Sequence, residues 1–191
     1  MKESLNFDTI SLMQVVKAPD PKLRVVTKPV KKITPELLRT TREMIKLTKT
    51  FKDPEGVGLA STQVGLDGSF FVALVSNPKK DEPERYASFF NPQILSFSEA
   101  TREHVEGCLS TLNYWGFVTR SRSVRAIYLD ETGRQVTKTL TGLLAHIFQH
   151  EVDHLNGVLF QDRVMQQGGK FYKVTGKDEK TGEDIFEEVS L

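Results

Sequence analysis

The order of elements legible in this chain predicts an α+β fold: a helix, several strands, a second helix and a polar tail. Two observations carry that expectation. Apolar residues recur at helical spacing around 35–51 and again around 142–155, and between these stretches lie short β-rich runs bounded by turn residues. The size fits as well, since 191 residues with 38% hydrophobic content suit one compact domain over 1–191.

Taken in order, Ala18-Pro19-Asp20-Pro21 is a breaker cluster that predicts an extended N-terminal segment. Thr34-Pro35-Glu36 reads as a helix start, with threonine as N-cap and proline at the first helical position. Leu37, Leu38, Thr41, Met44, Ile45 and Thr48 continue the helix to about Phe51, and Asp53-Pro54-Glu55-Gly56 ends it. Phe70 to Ser76 predicts a buried strand, followed by strand-like runs at Ser88–Leu95, His104–Leu109 and Val124–Leu129. Asp130-Glu131-Thr132-Gly133 is a turn signal, and Arg134–Thr139 alternates as the returning arm of a hairpin. The second helix is expected at about Gly142–Leu155, stopped by Asn156-Gly157. Beyond Gly168-Gly169, the segments Lys170–Val174 and Asp184–Val189 either pair as a hairpin or stay loosely ordered.

Charge excludes some classes. With 26 basic and 25 acidic residues the formal net charge is +1, which offers no support for a nucleic-acid or membrane-surface protein. The lone Cys108 forbids an intrachain disulfide and suits a reducing compartment. Met1 to Met13 matches neither a secretory signal nor a transit peptide, and no apolar run approaches the roughly 20 residues of a membrane span. A cytoplasmic location is the expectation.

Chemistry concentrates in Gln149-His150-Glu151-Val152-Asp153-His154, a His-Glu-x-x-His pattern. Histidines four apart share one helical face, about 6 Å apart along the axis, so both imidazoles can reach one metal ion. Glu151 beside them is a candidate general base. Leu140, Leu143, Leu144, Ile147, Phe148, Val152 and Leu155 make the helix apolar over most of its circumference. Buried there, the polar trio is costly unless it binds an ion or is otherwise paired. Two core histidines satisfied by backbone carbonyls are the bland alternative.

The pattern follows the extended zinc-peptidase motif as far as Gly157 and then fails, because Phe160 stands where a third histidine belongs. His146 is a poor substitute: His146 and His154 would lie about 12 Å apart along the axis, whereas ligands of one ion lie within roughly 4 Å of each other. His146 either lines the neighbouring pocket or has no role. Cys108, in Glu106-Gly107-Cys108-Leu109-Ser110, is the remaining strong candidate. A lone cysteine is most often a small buried hydrophobe, but a thiolate with two imidazoles makes a three-ligand site with an open fourth position. A third segment, Gly56-Val57-Gly58-Leu59-Ala60-Ser61-Thr62-Gln63, permits close backbone approach and carries an amide donor. By itself it reads as an ordinary turn with a solvated glutamine.

Together these three segments resemble peptide deformylases in order and spacing, over about Val15 to Val164. The resemblance implies antiparallel or mixed sheets around a central metal-bearing helix. It implies a hydrolase that removes the N-formyl group from nascent chains beginning with formyl-methionine, releasing formate. By position it assigns Cys108, His150 and His154 to the metal, Glu151 to acid–base work, and Gln63 with the Leu109 N–H to the oxyanion. Val57, Gly58, Glu106 and Gly107 would border the peptide, and Arg120, Leu143, His146 and Ile147 would surround the methionine pocket. It implies Fe2+ as the physiological ion, with Zn2+, Ni2+ or Co2+ as possible occupants. N-formylmethionyl peptides are the expected partners, with the ribosome nearby, and a monomer is expected. Ser61 replaces the usual alanine, His146 stands where arginine or an apolar residue is usual, and the tail 165–191 looks like a strand ending.

Two other readings compete. A peptidase cleaving internal bonds shares the His-Glu-x-x-His chemistry but lacks a downstream ligand. A structural metal site or an inactive peptide-binding module would keep the residues without turnover. Tyr114, Trp115 and Phe117 either flank the substrate groove or form a surface packing patch.

Overall fold

Thr34 starts the first helix as the threonine–proline pair requires. In the computed structural model, which describes residues 13–76, 83–178 and 181–190, its side chain accepts the Leu37 N–H at 3.2 Å. Helix α1 (Pro35–Thr50) buries Met44 together with Thr40, Thr41 and Thr48. The three hydroxyls donate to carbonyls of the same helix, which is what lets polar residues sit in a core face. The expected extended N-terminal segment is interrupted by a 3-10 turn at Pro21–Arg24, with Asp20 accepting the Lys22 N–H.

The glycine-rich loop holds more order than a turn: a short, wholly buried strand β1 (Gly58–Ala60) and a 3-10 turn at Ser61–Val64. Strand β2 (Phe70–Leu74) follows, then β3 (Tyr86–Phe97), longer at both ends than the apolar run that predicts it. Next come β4 (Thr101–Gly107), β5 (Tyr114–Ser121), β6 (Ser123–Leu129) and β7 (Gln135–Thr141). Helix α2 spans Gly142–Leu155 as expected, and α3 (Phe160–Gln166) follows it. Strands β8 (Phe171–Lys177) and β9 (Asp184–Val189) pair, which settles the tail as a hairpin. Strand β5 and helix α3 were not anticipated. Gly116 and Arg120 break the apolar alternation of β5, and α3 is too short to show a helical period.

Two antiparallel sheets result, one in the order β1-β2-β3-β6-β7 and one in the order β4-β5-β8-β9. The first is covered on both faces. Phe71 and Ala73 of β2 join Phe148 of α2, while Phe70 and Val72 join Met44 of α1, so the continuous apolar run is a two-faced strand. Phe148 meets Phe71 and Phe89 edge-on at centroid distances of 5.2 and 5.6 Å. A third apolar cluster, Cys108, Val118, Phe160, Val164 and Phe171, seats α3 under the second sheet. Among the described residues no helix is long and apolar enough to cross a membrane.

Candidate metal centre and peptide cleft

Helix α2 presents His150, Glu151 and His154 toward the end of β4, where Cys108 leaves the strand in a turn closed by Thr111 N–H to Cys108 O at 3.0 Å. Cys108 Sγ lies 3.2 Å from His154 Nε2, and the rings of His150 and His154 stand 4.9 Å apart. One ligand atom from each of Cys108, His150 and His154 lies within 4.8 Å of the other two. One thiol and two imidazoles closing on one buried point suit a single transition-metal ion. Burial alone would raise the thiol's pKa, but the imidazoles of His154 and His150 outweigh it and favour the thiolate.

Glu106 fixes one of these rings. Its carboxylate takes His150 Nδ1 at 2.9 Å, leaving Nε2 of that ring for the site. The same carboxylate accepts Arg120 Nε at 2.5 Å and Nη2 at 3.0 Å, while Arg120 Nη1 donates to Asp153 at 2.8 Å. Arg163 closes the ladder on Asp153 at 2.5 and 3.0 Å. Burial opposes ionisation of Glu106, yet its bonds to His150 and Arg120 hold the carboxyl well below its usual range. Charges alternate along the ladder, which is how Glu106, Arg120 and Asp153 tolerate burial. Arg120, expected around the methionine pocket, is instead held within this ladder. Its alternation with Glu106 across the paired strands turns it inward, toward Asp153.

Glu151 is 3% exposed, and its Oε2 has no hydrogen-bond partner among the described residues. Burial, followed by the opposing His150 and His154 and the reinforcing Cys108, moves its pKa up to about 7. A Cβ on Gly58 would fall 2.3 Å from Glu151 Oε1, so only glycine leaves the carboxylate its place. Gln63 is buried rather than solvated. Its Oε1 accepts the Ala60 N–H at 2.8 Å, while Nε2 lies 3.3 Å from Cys108 Sγ and 3.2 Å from Ser110 Oγ.

A cleft of about 300 Å³ opens onto this centre. Val57 and Gly58 line it from one sheet and Glu106, Gly107 and Leu109 from the end of β4 and beyond, with Leu143, His146 and Ile147 contributed by α2. His146 Nε2 sits 3.1 Å from Glu106 Oε1, and burial drives its pKa down to about 4. His154 lies behind the cleft, fully buried. The structure adds His104, whose ring lies 4.2 Å from that of His146, and the rim residues Glu55 and Val105, while Trp115, one of the aromatics expected either at the groove or in a packing patch, also lines the cleft. Period-two alternation with Glu106 on β4 is the signal that puts His104 on the inner face.

A helix-borne His-Glu-x-x-His, a thiolate from a neighbouring strand end and a buried carboxylate at an open cleft define a metal-dependent hydrolase. A family model described as "Polypeptide deformylase" matches residues 12–170. The chain is similar to the peptide deformylase of Psychrobacter cryohalolentis, with 37% identity over 93% of this chain and 96% of that protein. It is 39% identical to that of Mesorhizobium japonicum over 86% of this chain and 93% of that one. Among solved structures, the Thermotoga maritima enzyme superposes with a TM-score of 0.71 at 37% identity, covering 79% of this chain and 96% of that one. A class I type b deformylase from Acinetobacter baumannii with Met-Ala-Ser bound gives 0.69 at 33%, covering 79% and 97%. The chain belongs to the polypeptide deformylase family. It is a hydrolase that removes the N-formyl group from the formyl-methionine of nascent polypeptides.

Proposed function

We propose that Cys108, His150 and His154 hold one divalent ion and that Glu151 moves the protons of formyl-amide hydrolysis. The observation that carries this is the convergence of the three donors beside a buried carboxylate. Zinc, iron, nickel and cobalt all suit such donors, and intrinsic affinity favours zinc over ferrous iron. The family resemblance supports Fe2+ as the physiological ion. When bound, the ion would acidify a water molecule and polarise the formyl oxygen.

Glu151 accepts the water proton as oxygen attacks the formyl carbon. The Gln63 Nε2 and the Leu109 N–H donate to the formyl oxygen as negative charge develops there. Glu151 then returns a proton to the departing amide nitrogen, so formate leaves and the methionine amine is freed. Glu106 acts on the ring of His150, holding its orientation.

Strands β1 and β4 are outer strands of their sheets, and they flank the cleft. Their backbone edges suit an extended peptide bordered by Val57, Gly58, Glu106 and Gly107. Leu143, His146 and Ile147 would take the methionine side chain. We read the chain as one catalytic domain acting as a monomer in the cytoplasm, near the ribosome where formylated chains emerge. A lone unpaired cysteine suits a reducing compartment, which supports that placement.

The test compares formyl-Met-Ala-Ser with unformylated Met-Ala-Ser. Stoichiometric formate from the first and no cleavage of the second is expected. Cleavage of internal bonds in both would favour the peptidase reading instead.

A further inference from the structure

The second sheet turns one face to α2 and the other outward, and its register says which residues lie where. Directly paired residues project to the same side. Gly107 pairs with Trp115, Val105 with Phe117, Trp115 with Tyr172, and Val174 with Phe186. Residues two apart on a strand share a face. Val105, Trp115, Phe117, Tyr172, Val174 and Phe186 therefore line up on the outer face across all four strands, opposite Glu106 and Arg120.

Three of these large apolar side chains are open to solvent: Val105 at 52%, Phe117 at 40% and Phe186 at 49%. Phe186 stands edge-on to Trp115 at 6.4 Å, and Phe117 edge-on to Tyr172 at 5.8 Å. The stripe is continuous with the catalytic cleft, because Val105 and Trp115 also line that cleft. The Trp115 ring packs on Gly107, the residue before Cys108, and carries the surface from the metal centre to the C-terminal hairpin.

We propose that this face extends the peptide cleft and binds apolar side chains downstream of the formyl-methionine in the substrate. The inference rests on the deformylase reading and deepens it. A nascent chain continues past the cleft, and the apolar rim lies where it can go. A second copy of this protein seated on Val105 and Trp115 would close the cleft instead. Crossing three strand spacings of about 4.8 Å takes an extended chain about four to five residues, so the face reads roughly the third to the seventh substrate residue.

Two formylated heptapeptides beginning Met-Ala-Ser, one continuing with leucine and phenylalanine and one with serine and asparagine, test this beside formyl-Met-Ala-Ser. The apolar heptapeptide is expected to show a kcat/KM about tenfold above the polar one, carried mainly by KM. Phe186→Ser, and separately Phe117→Ser, should bring that ratio to about one or two. Equal values for the two heptapeptides in the wild-type protein, or an unchanged ratio in both variants, would overturn the proposal. So would a concentration-dependent dimer, seen by sedimentation, that Phe186→Ser dissolves. Absence of formate release from the tripeptide would strike the deformylase reading itself, a separate outcome.

Discussion

At the scale of single residues, Gly58 and Glu151 show how closely the centre is fitted. An alanine methyl at position 58 would meet Glu151 Oε1 at 2.3 Å and Ile147 Cγ2 at 2.9 Å. Gly58→Ala should therefore displace the carboxylate, with kcat falling about a hundredfold while the ion is retained. Steady-state kinetics with elemental analysis on the same sample checks both halves. Spacing alone placed His150 and His154 on one face, because the helical period is fixed. Cys108 was another matter. It reaches the same point only through the path of β4, which no local pattern records, so elimination could make it only the remaining strong candidate and the family resemblance assigned it to the ion. Arg120 was misplaced for a related reason: its expected place beside the methionine pocket ignored the strand parity that sends it inward to Glu106 and Asp153.

At the scale of elements, α3 is held by Asp162. Its Oδ2 accepts the Leu159 N–H at 2.7 Å at the start of the helix, and its carboxylate pairs with Arg24, whose Nη2 lies 3.1 Å from Oδ1. Burial pushes this carboxyl up, but Arg24 and the Leu159 N–H outweigh it, and the folded pKa is lowered. A lowered carboxyl adds stability above its unfolded value of about 3.9 and loses it as pH falls through the folded value. Asp162→Asn should thus melt below the wild type at pH 7, with the gap narrowing below about pH 4. Thermal melts across that range test the sign, and a gap that widens in acid would contradict it. Helix α1 was legible because its cap and period agree, and α2 because its period runs into the Asn156-Gly157 stop. The short α3 was not, and β5 was hidden by the glycine that lets Val164 approach and by an arginine on its inner face.

For the whole molecule, α2 is the joint between the two sheets. Its Phe148 packs on the first sheet, while His150 and Asp153 are bonded to Glu106 and Arg120 of the second. Phe148→Ala should cost about 3–5 kcal/mol in urea unfolding, since the ring is fully buried. A loss within the range of a surface substitution would show that α2 is not the joint. The fold class was readable from element order, but not the pairing of β5 with β4 and β8, which depends on contacts distant in sequence. The central claim is that three donors hold the ion while Glu151 does the proton chemistry, and one paired measurement reaches it directly. Ion content and formate release from formyl-Met-Ala-Ser are compared for wild type, Cys108→Ala and Glu151→Ala. Cys108→Ala should lose the ion and the activity together. Glu151→Ala should keep about one ion per chain and lose at least about a hundredfold in turnover. Full turnover by Glu151→Ala, or an unaltered ion content in Cys108→Ala, would contradict the account.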